Sequence, residues 1–221
     1  MEVSQKGFGY LMVIEINERN ERIFQAAKKQ FAINGYHQTS TNLIAETADV
    51  SKALVFHHFQ SKKKLYLTVI EHSIDLMIAS FEEVWHPDTS SDFFDQMKYF
   101  VKAKMEVATR YPIDNILLMQ AYMNQPQEIM KELQELFSEK SKVMKTLSDE
   151  TIFELLTPQT LRTNVEEDYA KKLIRSVFNA FSQQILSKYN GRYEDMINEQ
   201  EEILLEMDAI INILKYGVSK T

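Results

Sequence analysis

Helix breakers are scarce in this chain and fall where connections are needed, which leaves little room for anything but long helices. Five glycines and four prolines occur in 221 residues. Pro87 lies in a connecting stretch at 86–91, Pro112 and Pro126 follow Tyr111 and Gln125, and Pro158 opens a polar stretch running to Asn164. Gly35, Gly191 and Gly217 stand at the ends of periodic segments, where a helix commonly terminates. Between the breaks, apolar residues recur at three- and four-residue spacing, and strand-like alternation is rare. This pattern predicts nine helices, at 18–34, 41–48, 51–57, 62–85, 91–110, 113–124, 127–156, 165–189 and 193–216. The expected fold is all-α, without internal repeats.

The first helix is expected to bury Ile23, Phe24, Ala27 and Phe31, to expose Arg22, Lys28 and Lys29, and to end at Gly35. The next two segments are too short to be stable alone. Joined by Asp49 and Val50, they must pack on the first helix and on the start of the fourth, which is the geometry of a helix-turn-helix. Ile44, Ala48, Val50 and Val55 supply the apolar positions, and Ala45 is small where two helices cross closely. Asp49 occupies the turn, where a left-handed backbone is expected and aspartate is among the few residues besides glycine to tolerate it. Ser40 or Thr41 can cap the second helix and Ser51 the third; their hydroxyls and the adjacent amides are also ready phosphate contacts.

Charge divides along the same line. The net charge is −7, yet residues 17–70 hold eight Lys/Arg against four Asp/Glu, while residues 71–221 hold 16 against 26. A basic module at 17–70 therefore rides on an acidic body at 71–221. A basic face is what phosphate neutralisation requires, and an acidic remainder discourages binding of the rest without register.

The array Ile23, Ala26-Ala27, Phe31, Gly35-Tyr36, Ser40-Thr41, Ile44-Ala45, Ala48, Val50-Ser51-Lys52, His58-Phe59, Ser61-Lys62 and Leu65 resembles the TetR family of transcriptional regulators. The resemblance spans Ile23 to Val69, about a fifth of the chain. It implies a double-stranded, palindromic DNA operator as partner, with 51–57 as the recognition helix and Lys52, Ala53 and Leu54 nearest the bases. It also implies that Thr41, Phe56, His57 and Lys62 address the phosphate backbone, beside the capping Ser40 and Ser51. Chemistry agrees for Lys52, which can donate to guanine O6/N7, and for Leu54, which can meet a thymine methyl. Three residues depart from the family pattern: Phe56 stands where tyrosine is usual, Leu54 replaces a small or polar residue, and Ala53 stands where glycine is frequent. Lys62-Lys63-Lys64 alone reads as a solvated helix start, and only Lys62 is promoted by the motif before it. Adjacent histidines such as His57 and His58 point to different helix faces, so no metal is expected; His57 is expected to face phosphate and His58 to pack at the helix end.

The body is rich in Met and aromatic residues at helical spacing. They read either as plain core or as the lining of an adaptable apolar cavity. The resemblance implies such a cavity among the fourth to eighth helices, for a small-molecule inducer that releases a repressor from DNA. The candidate lining is Phe81, Trp85, Phe100, Met105, Met119, Tyr122, Met123 and Phe178. In the last two predicted helices, Val165, Tyr169, Leu173, Val177, Phe181 and Ile185 form one stripe. The final helix is apolar nearly all round, so it must be buried on more than one side. A second copy of the chain supplies the other side most simply, as a two-fold homodimer held by Leu173, Val177, Phe181, Ile211 and Leu214.

Other classes fare less well. With no cysteine, disulfides and thiolate zinc sites are excluded. The apolar run at 11–14 is broken by Glu15 and has no basic leader, so no signal peptide is expected. No stretch reaches the roughly 20 apolar residues needed to span a bilayer, and a cytoplasmic protein without membrane contact is expected. Acidic pairs such as Glu82-Glu83 and Glu201-Glu202 have no nearby nucleophile, and no glycine loop cradles phosphate; no enzyme and no cofactor are expected. A helical lipid carrier or scaffold would account for the body but not for the basic turn motif.

Overall fold

The computed structural model describes residues 18–87, 90–147, 152–158, 160–189 and 192–218. Among them every regular element is helical: α1 (Glu18–Gln38), α2 (Thr41–Thr47), α3 (Lys52–Phe59), α4 (Lys62–Val84), α5 (Phe93–Arg110), α6 (Pro112–Met123), a 3-10 turn (Gln127–Ile129), α7 (Met130–Leu147), α8 (Glu167–Lys188), α9 (Tyr193–Asn198) and α10 (Gln200–Val218). The all-α expectation holds, with two corrections to the helix pattern. The segment expected as one helix at 127–156 opens as a 3-10 turn behind Pro126 and is an α-helix only over Met130–Leu147; residues 148–151 lie outside the described set. The segment expected at 193–216 is two helices parted at Glu199 (φ −94°, ψ 15°). No glycine or proline marks that break. Glu199 is instead drawn to the end of α8, where its carboxylate accepts from Tyr189 Oη at 2.5 Å and from Lys188 Nζ at 3.3 Å.

Two apolar clusters share α4. The first joins Ile23, Phe31, Ile44, Val55, Leu65 and Ile70 to Leu117 and Ala121 of α6, Ile129 of the 3-10 turn and Leu133 of α7. The second joins Phe81 and Trp85 to Phe93, Phe94 and Phe100 of α5, Ile174 and Phe181 of α8, and Ile211 and Leu214 of α10. At 23 residues, α4 runs about 35 Å, and one rigid rod connects both cores.

Beneath α1 lies α6, and the contact overturns one expectation. Lys28 is not exposed; its Nζ donates to Asp114 Oδ2 at 3.0 Å and Oδ1 at 3.1 Å in a buried ion pair. Ser73 of α4 donates to the same carboxylate at 2.7 Å. A lysine between apolar neighbours on a helix reads as solvated until the carboxylate 86 residues away is known. The break in α1 sits where the glycine predicted it: Gly35 has φ 68° and ψ 179°, a conformation costly for any side chain. A Cβ there would also come within 3.2 Å of Gln120 Oε1 on α6.

Candidate nucleic-acid interface

Three serines start the three helices that follow α1. Ser40 Oγ accepts from Leu43 N at 3.1 Å, Ser51 Oγ from Leu54 N at 3.3 Å, and Ser61 Oγ from Lys64 N at 3.1 Å. Such caps typically contribute about 1 kcal/mol each. Of the two candidates for capping α2, Ser40 takes the role and Thr41 becomes its first helical residue. Each serine oxygen accepts from its helix, which leaves its own O–H able to donate. Asp49 adopts φ 52°, as the turn demands, and Val50 N returns to Ala45 O at 3.0 Å. A second left-handed residue, Gln60 at φ 64°, ends α3 and has no counterpart in the sequence reading, since glutamine carries no turn signal.

Burial decides which side of α3 is presented. Val55 and Phe59 are buried in the first core. Lys52, Ala53, Phe56 and His57 are exposed, and so is Gln60 just beyond the helix. Spaced i, i+1, i+4, i+5 and i+8, they make one face. Leu54, expected nearest the bases, is half-buried and packs on the core, because it stands one residue off the exposed stripe. The apolar group offered outward is Phe56, with Lys52 Nζ 5.8 Å from its ring centroid. His58 is half-buried and meets His57 edge-on at 4.9 Å. No cluster of three or more His, Asp or Glu able to hold a metal occurs among the described residues.

Lys62 is half-buried and engaged within the chain. Its Nζ donates to Tyr36 O at 2.9 Å and Thr39 O at 3.1 Å, and lies 4.2 Å from the centroid of the Tyr36 ring. The ammonium thus closes the end of α1 and holds the loop into α2. Tyr36 itself is buried, and burial together with a hydrogen bond to Glu128 pushes its phenol up to about 12. Lys63 pairs with Glu132 of α7. Of the three lysines, Lys64 is the exposed one, its Nζ 3.2 Å from Gln60 Oε1.

Five of the eight residues expected to line a ligand site share the second core. Phe81, Trp85 and Phe100 pack on each other with centroids 5.3–5.9 Å apart, and Met119 and Phe178 lie against the same core. Met105 and Met123 are half-buried elsewhere on α5 and α6, and Tyr122 is exposed, edge-on to Phe137. An open groove of about 320 Å³ lies between Lys98, Val101, Leu204, Leu205 and Met207, and another of about 390 Å³ between Ser61, Lys63, Thr68, Glu132 and Leu136. None of the eight expected residues lines either. The residues expected in a dimer contact divide by burial. Phe181, Ile211 and Leu214 are buried within the single chain and Val177 is half-buried, since they close the second core. Leu173 is 50% exposed, and with it Tyr169 of α8 and Leu205, Ile213 and Tyr216 of α10.

A seven-residue and an eight-residue helix set on α1 and α4, with a left-handed turn between them, define a helix-turn-helix protein of the regulator type. Comparison places it more closely. Residues 23–69 match the bacterial regulatory proteins of the tetR family, and residues 91–219 match the tetracyclin repressor-like C-terminal domain. The chain belongs to the TetR family of transcription regulators, which are not enzymes. It is 29% identical over 133 residues to the HTH-type transcriptional regulator RutR of Escherichia coli K12, covering 57% of this chain and 60% of RutR. It therefore spans less than two thirds of the length of the curated relatives it matches first. A TetR family regulator from Chloroflexus aurantiacus J-10-FL superposes with a TM-score of 0.60 at 19% identity, over 92% of this chain and 94% of that one. The fatty acid degradation regulator FadR of Bacillus halodurans gives 0.58 at 14% identity, over 90% and 95%. At these identities the structures speak for the fold.

Proposed function

We propose that the chain is a cytoplasmic repressor that binds a palindromic operator as a two-fold homodimer and leaves it when a lipophilic small molecule binds the body. Residues 17–70 carry the reading head and 71–221 the regulation and assembly. The observation that carries the proposal is the exposed face of α3. Lys52, Ala53, Phe56 and His57 form a surface narrow enough for a major groove, and serine hydroxyls at the starts of α2, α3 and α4 stand ready for the flanking phosphates. Lys52 donates to a guanine edge, the Phe56 ring lies beside the sugar-phosphate backbone, and Ser40, Thr41, Ser51, His57 and Lys64 position that backbone. The exposed apolar residues Tyr169, Leu173, Leu205, Ile213 and Tyr216 support a partner surface on α8 and α10.

The test is selection from a random DNA pool with the purified full chain, followed by titration of the winner at several salt concentrations. A palindrome with half-sites about 34–36 Å apart and a steep fall of affinity with salt are expected. Enrichment of no sequence, with binding no stronger than to random DNA, would overturn the proposal.

A further inference from the structure

We infer that Asp114 is a positioning residue that locks the reading head to α6, so that the head follows α6 directly and not only through α4; this rests on the operator-binding reading above. Asp114 is 3% exposed, and its carboxylate is the meeting point of three helices. It belongs to α6, accepts both contacts from Lys28 of α1 at 3.0 and 3.1 Å, and accepts from Ser73 of α4 at 2.7 Å. Two further ties run along the same seam. Gln120 of α6 donates to Ala32 O at 2.7 Å, at the last helical turn before the Gly35 break. Glu128, in the 3-10 turn after α6, holds the Tyr36 hydroxyl. Lys28, Ala32 and Tyr36 lie four residues apart, so the regulatory body grips α1 at successive turns down to its end. The last grip leads straight to the interface, because Tyr36 lies under the Lys62 ammonium that holds the loop into α2.

Apolar surfaces slide over one another at little cost, whereas buried charge-assisted hydrogen bonds do not. A displacement of α6 by about 3 Å along α1 would carry these contacts past hydrogen-bonding distance and leave two buried charges uncompensated. The seam is thus either in register or broken, which is the behaviour a switch needs.

The experiment compares the full-length wild type with Asp114→Asn and with Lys28→Met/Asp114→Asn. The double variant carries no buried charge at this seam and is expected to keep its fold even if the single one, with Lys28 left unpaired, proves too unstable to isolate. Two readouts are taken: amide hydrogen exchange of residues 18–38 without DNA, and relative affinity for the selected operator against the same operator with one base pair inserted between half-sites. We expect exchange in α1 to rise at least tenfold while α5 is unchanged. The preference for correct spacing, about 30-fold or more in the wild type, should shrink to threefold or less as the heads gain freedom, with affinity for an isolated half-site unaltered. Exchange and spacing preference both like the wild type would overturn the inference, as would exchange that rises equally in α5, which is general loosening. If the wild type selects no operator, the functional proposal fails on its own, and the exchange comparison still decides whether Asp114 holds the head.

Discussion

Lys62 and Lys64 show how neighbouring identical residues part company once their surroundings are known. Lys62 makes two hydrogen bonds to the backbone around the α1–α2 loop, and hydrogen bonds to a charged group contribute about 1.5–3 kcal/mol. Lys62→Met should therefore lower stability by about that much in urea denaturation and weaken all DNA sequences alike, leaving the slope of log affinity against log salt unchanged. Lys64→Ala should leave stability alone and reduce that slope by about one, and Lys52→Ala should relax preference at one base pair per half-site. A Lys62→Met protein as stable as the wild type, with the slope reduced by one, would return Lys62 to the phosphate. Phe56 offers a simpler gain. Phe56→Tyr restores a hydroxyl on the exposed face of α3, and one added hydrogen bond of about 0.5–1.5 kcal/mol should raise operator affinity severalfold without changing the selected sequence. A changed sequence preference would instead place the ring against bases.

At the level of elements, α8 and α10 each have a buried side that closes the core and an exposed side that is still apolar. Ile211 and Ile213 are two residues apart, yet one is fully buried and the other 72% exposed. Leu173→Glu and Ile213→Glu should therefore give folded monomers by light scattering, with native helicity and operator affinity reduced to that of a single half-site. Ile211→Glu puts a charge into the core at a cost of several kcal/mol and should fail to fold. Folded dimers from both surface variants would remove this face from the assembly. The sequence made the existence of these helices legible, because periodicity is local, but not which apolar residue faced inward, because a helix apolar all round has no phase to read. The same limit hid the Glu199 break, which depends on Tyr189 and Lys188 rather than on a breaker, and the burial of Lys28, whose partner lies on α6. What was read well, the turn at Asp49, the serine caps and the Gly35 break, is fixed by backbone requirements within a few residues.

Over the whole molecule, the proposed dimer requires a signal from the body to reach a head whose recognition helices enter successive major grooves. Phe81 and Trp85 end α4 inside the second core, Lys62 begins it beside the interface, and a shift of a few ångströms at the near end is enough to lose one half-site. The aromatic cluster is closed: Trp85 stacks near Phe81, meets Phe100 edge-on, and lies 5.2 Å from Tyr99, whose hydroxyl donates to Val84 O at 2.6 Å. A ligand entering there must displace rings rather than fill a vacant hole, so it acts on α4 as it binds. Trp85 is the single tryptophan, so tryptophan fluorescence reports on this end of α4. We expect lipophilic compounds that stabilise the protein thermally to change Trp85 emission and to dissociate the operator complex. Linkage then requires operator DNA to weaken each such compound by the same factor by which the compound weakens DNA, typically 5–150-fold. Titrating every hit by Trp85 emission, with and without saturating operator, measures both sides of that equality. Compounds that shift the emission with an affinity indifferent to operator would show the cluster to be core and nothing more, and release by a ligand at the end of α4 would have to be given up.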